Sequence, residues 1–70
     1  MTKQEEQDAS YRTQGFHPQD DFNANDKEGN KRLEEMVNFI ARDGGEIRQG
    51  NAYEPDETTI KPGWVRLYWK

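Results

Sequence analysis

The chain has 70 residues, no cysteine, 34% charged and 30% hydrophobic residues, and a net charge of −4 at pH 7. That length allows one domain with a small core of marginal stability. The missing cysteine excludes disulfides, thiolate nucleophiles and cysteine-ligated zinc, and it fits a reducing compartment, so a cytoplasmic location is expected.

Met1 to Asp8 contains no apolar signal-peptide segment, and no apolar run approaches the ~20 residues that a membrane-spanning helix needs. Neither export nor a membrane partner is expected. The charge is unevenly placed: residues 1–26 hold two basic and six acidic groups, whereas residues 27–70 hold eight of each. The acidity belongs to the first third, and the remainder is neutral. An acidic mimic of nucleic acid would need ordered carboxylates at phosphate-like spacing, so it is only the third functional reading.

Residues 1–25 are polar, and their apolar side chains recur with neither helical nor strand period, so this stretch is read as a flexible, largely disordered acidic tail. Tyr11, Phe16 and Phe22 interrupt it at irregular spacing. They are candidates for partner anchors that order on contact or fold back on the domain.

The domain proper is read as residues 26–70, beginning with a helix. Asn25 and Asp26 are suitable N-cap residues, and Asn25-Asp26-Lys27-Glu28 resembles a capping box. Gly29 in the first turn costs about 1 kcal/mol relative to alanine, so a start one turn later, at Asn30, is the alternative. Leu33, Met36, Val37 and Ile40 fall at i, i+3, i+4 and i+7 and form one apolar stripe, with Phe39 at its border. Arg42 suits the negative end of the helix dipole, and Gly44 or Gly45 can adopt the left-handed conformation that stops the helix near Asp43.

Short strands follow. Ile47 sits in an alternating segment, Gly50-Asn51 has the composition of a tight turn, and Ala52-Tyr53-Glu54 reads as a short or edge strand before Pro55. Glu57 to Ile60 has β character, and Lys61-Pro62-Gly63-Trp64 suits a type II turn. The last run, Trp64 to Lys70, alternates. Val65, Leu67 and Trp69 point to one face, while Trp64, Arg66, Tyr68 and Lys70 point to the other. The fold class is therefore α+β: one helix packed on a small antiparallel sheet of two to four strands. Its core joins the helix stripe, Ile47 and Ile60 to Val65, Leu67 and Trp69, with Tyr53 as a lid.

Catalytic chemistry is poorly supplied. Ser10 and the single histidine, His17, both lie in the polar first third, and a Ser-His pair needs rigid positioning. Glu34 and Glu35 point in successive directions on a helix and read as a solvated face. His17 with Asp20 and Asp21 matches no closed metal site. No enzyme activity, cofactor or metal is expected.

The aromatic and cationic face of the last strand is the main candidate site. Trp64, Arg66, Tyr68 and Lys70 have the composition of a protein-interface anchor, and the preferred reading is a small regulator or inhibitor that binds another protein through them. The second reading is a single-stranded nucleic-acid platform, in which flat aromatics stack bases beside phosphate-binding cations. Its neutral surroundings argue against it. The third use of Trp64 is structural, covered by the N-terminal segment or by the loop from Ala52 to Lys61. A homodimer is a further way to complete so small a fold.

Overall fold

The computed structural model describes residues 1–70 and has two helices and one three-stranded antiparallel sheet in the order α1 (Lys3–Thr13), β1 (His17–Asn23), α2 (Lys27–Arg42), β2 (Ile47–Tyr53) and β3 (Ile60–Trp69). No helix is long and apolar enough to cross a membrane.

The predicted helix is α2. Its N-cap is Asp26, whose side chain accepts from the Gly29 amide at 3.0 Å, one residue beyond the capping box that the sequence suggests at Asn25. Gly29 is there for space: a Cβ at this position would collide with the Asn23 carbonyl oxygen, because the chain leaving β1 passes directly beside the first turn. At the other end Asp43 is the C-cap, and Gly44 follows at φ +81. Leu33 and Ile40 are buried with Phe22 and Leu67 in one cluster, against which Met36, Val37, Ile47 and Val65 pack. This is the expected stripe against the expected strand face, with Phe22 added from β1.

The sheet order is β1-β3-β2, so β3 is the central strand and pairs antiparallel on both sides. Leu67 and Tyr68, adjacent in sequence and therefore on opposite faces, both have 0% exposure. Two faces can be buried only if both are covered. Helix α2 covers the Leu67 face and α1 covers the Tyr68 face.

Residues 1–25, expected as a flexible tail, instead form α1 and β1. Helix α1 carries a true capping box: Thr2 Oγ1 accepts from the Glu5 amide at 3.2 Å, and Glu5 Oε1 accepts from the Thr2 amide at 3.3 Å. The Thr2 amide, and after it the Thr2 hydroxyl, donate to the Glu5 carboxylate and lower its pKa below the ordinary value. Strand β1 shows no apolar alternation because Phe22 is its one large apolar side chain, and its register against β3 shifts between Pro18 and Asp20. A one-residue insertion reverses which face later side chains point to. It turns Phe22, opposite Val65, toward α2 and Asp21, opposite Arg66, toward α1.

Three local expectations are also corrected. Gly50-Asn51 is no turn but lies within β2, which runs unbroken through Ala52 and Tyr53. The β2–β3 connection is Glu54 to Thr59, organised by Asp56, whose carboxylate accepts from the amides of Thr58 and Thr59, both at 2.9 Å. Lys61-Pro62-Gly63-Trp64 lies inside β3, where its pairing with β2 is irregular and Gly63 sits at φ +79. Ile60, placed in the core by sequence, is 51% exposed.

Candidate interaction surfaces

Of the four residues expected to form an open binding face, Arg66 and Tyr68 are the floor on which α1 docks. Arg66 is gripped from two elements. Its Nε and Nη2 donate to the Asp21 carboxylate on β1 at 2.8 and 3.2 Å, and its Nη1 donates to Asp8 on α1 at 3.1 Å. The guanidinium is planar and presents several donors in a fixed fork, which is why one side chain can bridge two carboxylates. The Asp21 hydrogen bonds hold its proton still more firmly than usual.

Tyr68 lies beside this ion cluster. Its hydroxyl donates to Asp8 and accepts from Gln7 Nε2 at 2.9 Å. Tyr11 stacks on its ring, with centroids 4.2 Å apart. Burial, and then the bond to Asp8, raise the Tyr68 pKa well above the ordinary tyrosine value.

Gln7 completes the contact. Its amide donates to the Asn51 carbonyl at 2.8 Å and accepts from the Asn51 amide at 3.0 Å. Gly50 makes room, since a Cβ there would stand 2.8 Å from Gln7 Nε2. Tyr11 adds a bond from its hydroxyl to the Gln49 carbonyl at 3.3 Å. Helix α1 thereby satisfies backbone groups along β2, an edge strand that would otherwise offer them to another chain. At the opposite edge, β1 carries Pro18, the register shift and two aspartates, all of which discourage strand addition.

The remaining candidates are dispersed. Phe16 is buried with its ring edge-on to Tyr11, beneath the Arg48 guanidinium at 5.1 Å and the Lys70 ammonium at 5.4 Å. Phe22 belongs to the α2 core. Trp64 is half-buried midway along β3, with the Lys61 ammonium 3.7 Å from its ring centre. Lys70 lies along Gly15 and reaches toward Glu46, at 4.0 Å. His17 lies opposite Trp69, with rings 5.4 Å apart, and Asp21 is committed to Arg66.

The exposed apolar surface lies on the other side of the molecule. Phe39 is 64% exposed and Trp69 is 39% exposed. With Met36 and Ile40 they line an open groove of about 660 Å³ between the C-terminal end of α2 and the ends of β1 and β3, closed at its margins by Gln19, Asp43, Gly44 and Gly45. Sequence reasoning placed Phe39 at the edge of the stripe and Trp69 in the core. The available signal was an excess: Phe39 adds a large ring outside a stripe that four other residues already fill.

No protein-family model matches the chain, and comparison with curated proteins and with solved structures found no match.

Proposed function

We propose that this chain is a small non-enzymatic protein that acts by binding another protein, as a regulator or inhibitor does, through the groove of Met36, Phe39 and Trp69. The observation that carries this reading is the pairing of a 64%-exposed Phe39 with a 39%-exposed Trp69 on one concave apolar surface. Leaving such surface in water forgoes about 25 cal/mol for each Å². Methionine and large aromatics are the side chains that anchor protein interfaces. The groove's polar side chains are Gln19, Asp43 and Lys70, and no hydrogen bond joins any two of them.

The face of Trp64, Arg66, Tyr68 and Lys70 supports the same class of function less well. Arg66 and Tyr68 are engaged by α1 and β1, and Lys70 rests on Phe16. Those engagements also leave the nucleic-acid reading without a free cationic and aromatic platform.

The test is a photo-reactive benzoylphenylalanine at position 39 of the full chain, irradiated in native lysate, with the captured protein identified and purified. Calorimetry should then show binding weakened roughly tenfold or more by Phe39→Ser, equivalent to about 1.4 kcal/mol, with an unchanged melting temperature. Absence of any cross-link from position 39, or equal affinity for both forms, would overturn the reading.

A further inference from the structure

We infer that the segment recognised by this groove presents an apolar anchor flanked by lysine or arginine. This rests on the proposed reading of the groove as a protein-binding site and specifies its partner's chemistry.

The groove continues past Met36 and Phe39 into a second hollow of about 410 Å³, which those two residues share with Phe22, Asp20, Glu35 and Arg32. Three carboxylates, Asp43, Asp20 and Glu35, therefore border the joined surface, against the guanidinium of Arg32. Lys70 does not offset them. Although it lines the first hollow, its ammonium lies on the α1 side of the sheet, 5.4 Å from the Phe16 ring centre and 4.0 Å from Glu46.

Two further features have the same sign. Helix α2 ends at Arg42 with its C-cap at Asp43, and the C-terminal end of a helix carries roughly half a negative charge, which Arg42 in the last turn offsets only in part because it does not line the groove. The open rings of Phe39 and Trp69 present π faces that attract cations. An apolar side chain between basic neighbours would fill the hollow and answer the rim. A second copy of the chain fits less well. Across a two-fold axis the same acidic rim would meet itself, and each copy carries −4.

The experiment titrates the isotopically labelled full chain with three short acetylated peptides sharing one leucine-phenylalanine core, flanked by lysines, serines or glutamates. Sedimentation velocity runs in parallel. The lysine peptide should shift the amides of Met36, Phe39, Gly44 and Gly45 and the Trp69 indole. It should bind at least about tenfold more tightly than the glutamate peptide, and rising salt should narrow that difference. Glu35→Lys combined with Asp43→Lys, both at exposed positions, should invert the preference.

Equal affinity for all three peptides would overturn the basic-flank inference while leaving an apolar docking groove. No shift with any peptide, in a chain that sediments as a monomer, would overturn both. Concentration-dependent dimerisation abolished by Phe39→Ser would make the second copy the occupant and overturn the inference.

Discussion

The Tyr68 hydroxyl, on a ring with no exposed surface, donates to the carboxylate of Asp8, 60 residues earlier in the chain. This bond joins the central strand to a helix that has no buried residue of its own. Helix α1 is therefore held by polar contacts and the Tyr11–Tyr68 ring stack, which only the assembled sheet can supply. Tyr68→Phe keeps the ring stack with Tyr11 and removes the hydroxyl. It should cost about 1 to 3 kcal/mol in urea denaturation and increase hydrogen exchange in α1 ahead of α2.

The raised Tyr68 pKa has a pH consequence. A group whose pKa is higher folded than unfolded contributes stability that is full below its unfolded value, here 10.0, and that is lost as pH climbs through the higher folded value. Thermal stability should thus decline above about pH 10. The decline should be shallower in Tyr68→Phe, and ultraviolet titration of the native chain should show one tyrosine ionising only when the fold opens.

Arg66 pairs with Asp8 and Asp21 together, and its side chain is 17% exposed. Removing one member of a buried ion cluster costs roughly 3 to 5 kcal/mol because the other charges remain. With this residual exposure, Arg66→Ala should fall near the lower end of that range. Arg66→Met with Asp8→Asn and Asp21→Asn should recover much of the loss in the same chemical-denaturation assay.

At Gly29 the expected sign is opposite to that for an ordinary helix. Gly→Ala in a helix interior normally stabilises by about 1 kcal/mol, but here the new methyl would meet the Asn23 carbonyl oxygen, which is backbone and cannot swing aside. Gly29→Ala should lower the melting temperature, and an increase would show that β1 does not approach α2 this closely.

Ile40 and Leu67 meet in the α2 core. Truncating either to alanine should cost about 2 to 5 kcal/mol, enough to unfold a domain this small. Loss of the cooperative transition in circular dichroism is the measurement.

What could be read from sequence followed local rules. The 3.6-residue stripe from Leu33 to Ile40 and the inward-facing Val65 and Leu67 appear as expected, whereas the cap falls at Asp26, one residue after the capping box read at Asn25, and Trp69, placed in the core, is 39% exposed. Thr2-Lys3-Gln4-Glu5 carried a legible capping box too, but without an apolar stripe after it the start signal had nothing to confirm it.

Sequence by itself thus determined one amphipathic helix, one amphipathic strand and a chain without thiol chemistry. Only the tertiary structure decided which surfaces stay open. The phase of β1 depends on a register shift that pattern counting cannot see, and α1 depends on contacts such as Asp8 to Arg66, 58 positions apart. Hydrophobic burial leaves a period in the sequence because a face repeats along each element. A polar side chain becomes interior only when its partner arrives, so the closed face of Arg66 and Tyr68 and the open groove of Phe39 and Trp69 were settled by assembly.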